Sequence, residues 1–160
     1  MDGIGSNALA RFDRDVLSVP GVRFVIVLEG INDLGGLGRV EEHPKETHDV
    51  LVEELKGALR QVVARAHAHG IRVYGATLTP FLGSGYYHPS VRSEADRQSL
   101  NQWIRTSGTF DDIIDFDAMV RDPSRPGYLA PDADSGDHLH PGPVGYKRMG
   151  EGISLKLFGK

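Results

Sequence analysis

The sequence predicts a three-layer α/β sandwich built on a parallel sheet. Three observations carry this. Runs rich in β-branched residues recur at Phe24–Leu28, Ile71–Leu78 and Ile113–Phe116, as in strands buried on both faces. Segments with helical spacing of apolar residues alternate with them. The first two runs end in glycine, proline or polar turns, at the carboxyl edge where open parallel sheets place their ligands.

The elements follow in order. Residues 1–7 are glycine-rich and read as loose. Ala8 to Leu17 carries Leu9, Phe12, Val16 and Leu17 at helical spacing, and Pro20-Gly21 stops that helix. Strand one spans about Arg23 to Glu29 and breaks at Gly30. Gly35-Gly36-Leu37-Gly38 reads as a flexible loop. It lacks the G-x-G-x-x-G spacing and the following lysine-serine or lysine-threonine pair of a phosphate cradle.

Thr47 to His69 predicts a long amphipathic helix. Its apolar face is Val50, Leu51, Leu55, Leu59, Val62, Val63 and Ala66, and Gly70 is its stop. Ile71 to Leu78 is strand two. Phe81 to Pro89 is an aromatic, glycine-containing loop at a strand's carboxyl end, which pocket lining and ordinary loop packing explain equally well. Ser93 with Asp96 resembles a capping box opening a helix to Thr106, with Leu100, Trp103 and Ile104 inward. Ile113–Phe116 is strand three. Pro143 suits the first turn of a closing helix with Val144, Met149, Ile153 and Leu157 as its apolar side.

The bulk numbers narrow the function. At 160 residues the chain is the size of one domain, and no linker or repeat divides residues 1–160. A net charge of −4 without a basic stripe argues against nucleic acid as a partner. The absence of cysteine removes disulfides, thiolate nucleophiles and cysteine metal sites, without locating the protein. No apolar run approaches the length of a membrane helix, and the first residues contain no signal-peptide core.

Two polar turns carry the chemistry. In Asp137-His138-Leu139-His140 an aspartate three residues before a histidine can reach Nδ1, fix the tautomer and leave Nε2 for a proton. Asn32, after strand one, offers an amide NH₂ suited to an oxyanion. Each alone has a plain alternative, an Asx turn or an incidental Asp-x-x-His. His138 beside His140 hints at zinc, but no third ligand has the spacing.

Gly30-Ile31-Asn32-Asp33 resembles the third conserved block of the SGNH (GDSL) hydrolases, and Asp137-His138-Leu139-His140-Pro141 their fifth. The likeness extends through Ala8–Val16, Val25–Asp33, Tyr74–Phe81 and Asp134–Pro141 to the bacterial GDSL esterase branch, in order along the chain. It implies a flavodoxin-like α/β/α sandwich. It also implies His140 as general base, Asp137 as its orienting acid and Asn32 as oxyanion donor. Gly30, Asp33, Phe81 and Tyr86 would line the substrate, with no metal or cofactor.

The expected activity is that of a carboxylesterase or acetylesterase on small acyl esters. The Gly-Asp-Ser block that supplies the family's nucleophile is not in this sequence. The chain therefore reads as a member beginning after the second block and lacking its first strands, with Ser6 and Ser84 as weak substitutes. Two rivals follow: a non-catalytic form that binds ligand or self-associates, and hydrolysis by a histidine-activated water. Strand one should present an open edge, so a homodimer or strand-exchanged oligomer is expected.

Overall fold

The computed structural model describes residues 6–38 and 43–159; the expectation for residues 1–5 lies outside them. Three strands, β1 (Phe24–Val27), β2 (Arg72–Ala76) and β3 (Asp112–Ile114), form a parallel sheet in the order β1-β2-β3. Phe24 is paired with Arg72 and Val27 with Gly75, while Tyr74 is paired with Asp112 and Ala76 with Ile114. Among the described residues β1 and β3 are therefore the edges. Each strand is shorter than expected because its apolar run continues into the turn beyond it.

The helices are α1 (Ala8–Phe12), which runs on into a wider π-type turn at Asp13–Leu17, α2 (Ile31–Gly38), α3 (Lys45–His67), α4 (Val91–Thr106), α5 (Phe116–Val120) and α6 (Pro143–Gly152). Side-chain alternation along the strands gives the sheet two apolar faces. Val25, Val27 and Val73 pack with Phe12 of α1, Leu59, Val62, Val63 and Ala66 of α3, and Leu100 and Ile104 of α4. Phe24, Tyr74, Ala76 and Ile114 pack on the other side with Phe116, Val120 and Met149. These are the three layers expected of the sandwich.

Several local expectations change. Gly35 to Gly38 lie in α2, not in a flexible loop. A Cβ at Gly35 would stand 2.4 Å from Cγ of Tyr87, so the glycine is where an aromatic ring presses on the helix. Val50 is exposed, and the buried side of α3 includes His48 instead. The capping box of α4 is formed by Ser90 and Ser93; Asp96 points away to Nδ1 of the buried His48. Phe116 opens α5 rather than ending a strand, because Asp115 caps it through the amide of Ala118. Val144 is exposed on α6. Trp103 does pack against the core, edge-to-face with Phe110 at 5.8 Å.

A buried polar cluster ties the carboxyl ends of β2 and β3 to α4 and α5. Arg97 and Asp117 have no solvent exposure and meet at 2.7 Å. Arg97 also binds Glu94 and the carbonyl of Leu78, and Asp117 receives Arg105 and Arg121. Burial works against the charge of Arg97, but Glu94 and Asp117 outweigh it and raise its pKa. Asn101 closes the cluster by bonding both the amide and the carbonyl of Leu78. The loop after β2 is thus held where it leaves the sheet.

Candidate active site

Gly30 ends the run of β1 at φ +121°, a conformation open to glycine, and α2 starts at the next residue. Asn32 is therefore in the first turn of a helix and exposed, with Asp33 half-buried beside it. The hydroxyl of Tyr87 donates to Asn32 Oδ1 at 2.7 Å. With its oxygen so occupied, the amide turns its NH₂ group away from Tyr87 as a donor.

The second turn is built around Asp137. Its Oδ1 accepts from the amides of Leu139 and His140 at 2.9 and 2.8 Å and from Ser135 Oγ at 2.9 Å. Its Oδ2 lies 2.6 Å from His140 Nδ1. Partial burial opposes ionisation of Asp137, but the bonds from His140, Leu139 and Ser135 prevail and hold the carboxyl far below the usual range. An ionised carboxylate can only accept, so Nδ1 carries the proton and Nε2 of the neutral ring is a base. The His140 side chain is 64% exposed, so that nitrogen is accessible.

Leu139 joins the two turns. It is buried in a small cluster with Phe81 and Tyr87, against which Ile31 of α2 also packs. The ring that holds Asn32 thus also seats the turn that carries His140. Phe81 is fully buried and forms the floor, whereas Tyr86 is half exposed and stacks edge-to-face on Tyr87 at 4.8 Å. Gly30 is buried, facing Leu55, Leu78 and Leu100.

Sequence reasoning missed Tyr87 in favour of its neighbour Tyr86; nothing in the spacing distinguishes two adjacent tyrosines. It also missed a second pair. Asp134 accepts from the amides of Gly136 and His138 and from His138 Nδ1 at 2.5 Å, with His138 at φ +59°. The i, i+4 spacing was the available signal.

The two candidate serines differ. Ser84 is 2% exposed and its hydroxyl accepts from the amides of Tyr86 and Tyr87, so it serves as a turn former and is withdrawn as a nucleophile. Ser6 is exposed, and its carbonyl accepts from Arg11 Nε, whose Nη2 binds Glu29 at the end of β1. No serine hydroxyl among the described residues is bonded to His140. Nor do the described residues contain a cluster of three metal-ligating side chains.

Two expected results follow. Tyr87→Phe should shift and broaden the side-chain NH₂ resonances of Asn32, because the bond that holds its Oδ1 is lost. Unchanged Asn32 resonances in Tyr87→Phe would show that the amide needs no orientation by that hydroxyl. The second concerns acid. A lowered carboxyl pKa contributes stability that is full above the unfolded value of 3.8 and is lost progressively as pH falls from there through the folded value. The amide resonances of Leu139 and His140 should therefore show no titration of Asp137 between neutral pH and 3.8. A carboxylate transition in that interval, absent from Asp137→Asn, would contradict the turn as described.

No curated protein matches the chain. A candidate acylhydrolase from Bacteroides fragilis superimposes with a TM-score of 0.70 at 22% identity, over 94% of this chain and 68% of its own. A GDSL-like lipase from Bacteroides thetaiotaomicron gives 0.69 at 20%, over 94% and 69%. A candidate lipolytic protein of the G-D-S-L family from Desulfitobacterium hafniense gives 0.58 at 21%, over 91% and 70%. At such identities the likeness establishes the fold. The sequence model of one family matches residues 2–148, which include both polar turns, and the chain therefore belongs to the GDSL-like lipase/acylhydrolase family.

Proposed function

We propose that this chain hydrolyses small acyl esters, with His140 as general base, Asp137 as its orienting group and Asn32 as oxyanion donor. One observation carries the reading: His140 Nδ1 is committed to an ionised carboxylate while Nε2 stays accessible, on a turn seated against the tyrosine that holds Asn32. In this reading Nε2 takes the proton of an attacking hydroxyl. The carbonyl oxygen gains charge as the tetrahedral centre forms, and the Asn32 amide stabilises it. Asp137 stabilises the imidazolium, and the proton then passes to the leaving alkoxide. The attacking oxygen is that of a water that His140 activates directly, or that of Ser6, tethered through Arg11 to Glu29 beyond β1; in the latter case a second water, activated by His140, hydrolyses the acyl-enzyme and frees Ser6.

A second reading is a ligand-binding or silent member of the family. It is favoured by the lack of a bonded serine at His140 among the described residues. A serine-reactive fluorophosphonate separates these. A covalent adduct on Ser6, lost in His140→Ala, supports the acyl-enzyme route. Ester turnover without an adduct supports the water route. Neither adduct nor turnover above an Asn32→Ala/His140→Ala control would overturn hydrolysis and leave the silent reading.

A further inference from the structure

The outer edge of β1 has no strand beside it among the described residues. Its register shows which groups that edge presents. Phe24 is paired with Arg72, and the amide of Arg72 donates to the carbonyl of Arg23 at 3.0 Å. In a parallel ladder the residues flanking a bridge partner point their backbone groups at the neighbour, and alternate residues point away. Arg23, Val25 and Val27 therefore address β2. Phe24, Ile26 and the following Leu28 direct N–H and C=O outward, and no backbone bond from another described segment reaches them. Ile26 and Leu28 are also exposed as side chains, at 38% and 39%.

We propose that this edge pairs with the same edge of a second copy, antiparallel, about a two-fold axis through Ile26. Three features of the sequence fit that axis. It makes Ile26 its own partner and sets Phe24 opposite Leu28, so the outward-pointing residues face one another and form about six backbone bonds. The side chains of these residues share one sheet face, so the exposed Ile26 and Leu28 are covered by Ile26 and Phe24 of the second copy. It also sets Arg23 opposite Glu29 at both ends, in the close, non-hydrogen-bonded position, where Arg23 would join the Arg11 that already binds Glu29 at 2.8 Å. Arg23 takes part in no ion pair among the described residues, and its guanidinium lies 5.4 Å from the centre of the Phe24 ring. A self-complementary edge of this kind closes on itself as a two-fold dimer and leaves no further edge of β1 to propagate.

Because the chain has no cysteine, Ile26→Cys creates a single thiol on the axis. Across an antiparallel hydrogen-bonded pair the Cα atoms lie about 5.5 Å apart, within reach of a disulfide. Under mild oxidation Ile26→Cys should become a covalent dimer faster than Val50→Cys, an exposed control on α3. Sedimentation of the unmodified chain should show a monomer–dimer equilibrium in the micromolar range. Ile26→Pro should abolish it with the fold intact by circular dichroism, since the lost N–H points outward. Arg23→Glu should weaken the dimer about tenfold, because it sets like charges opposite each other at both ends. A chain that remains monomeric, larger assemblies without a dimer, equal cross-linking at positions 26 and 50, or an Arg23→Glu variant that associates as tightly as the parent would each overturn the proposal. Ester turnover is read separately, so neither proposal's failure masks the other's.

Discussion

Asp117→Ala should destabilise the fold by about 3–5 kcal/mol, the cost of breaking a buried ion pair by removing one partner. The reason is location. Asp117 and Arg97 have no solvent exposure, so removing the carboxylate strands a guanidinium that water cannot reach. Arg105 and Arg121 lose the same acceptor, and the amide of Asp117 remains bound to Thr77 Oγ1, so the backbone cannot easily relax around the gap. Against a typical total of about 5–15 kcal/mol, that loss is a large fraction of the stability. The comparison is Arg148→Ala, which breaks an ion pair to Asp132 in which both side chains are well exposed. That change should cost no more than about 1 kcal/mol. Urea unfolding of both variants reads the difference, and equal losses would show that burial is not what sets the strength of the cluster.

His140→Ala should lower ester turnover by about 10²–10⁴-fold, the range for removing a positioned general base. Asn32→Ala should lower it by about 10²–10³-fold through loss of the oxyanion donor. These changes should leave thermal unfolding little altered, because both side chains lie at the surface. Asp137→Asn is the informative third variant. The amide keeps an acceptor for the turn but no longer stabilises an imidazolium, so kcat should fall while KM for a small acetate ester stays near that of the parent. The losses should not multiply in the double variant, since base and donor serve one step. Turnover unaffected by His140→Ala would remove the Asp137–His140 pair from the chemistry.

Much of this was readable along the chain. The β-branched runs marked the strands because a strand covered by helices on both faces must be apolar on both. The long helix was marked by its period and by Gly70, which adopts the left-handed conformation (φ +70°) expected after a helix end. The Asp137–His140 pair was marked because its geometry is local, three residues on one turn. The error at Gly35 has the opposite cause. Three glycines in four residues look like a loop, and only the ring of Tyr87, 52 positions away, makes glycine the residue that fits in that helix. His48 is a similar case: a histidine on an amphipathic helix reads as polar surface until Asp96 of α4 is placed against it.

The sequence by itself therefore determined the fold class, the family and the two turns that hold His140 and Asn32. Each rests on local periodicity or on motifs a few residues long, and short-range pattern is what a linear chain displays. The tertiary structure alone decided that Tyr87 holds Asn32, that Leu139 joins the two turns, that Ser84 is buried, and which backbone groups β1 presents at its open edge. Those facts depend on packing and strand register between distant segments, and close approach in space leaves no spacing in the chain to be read.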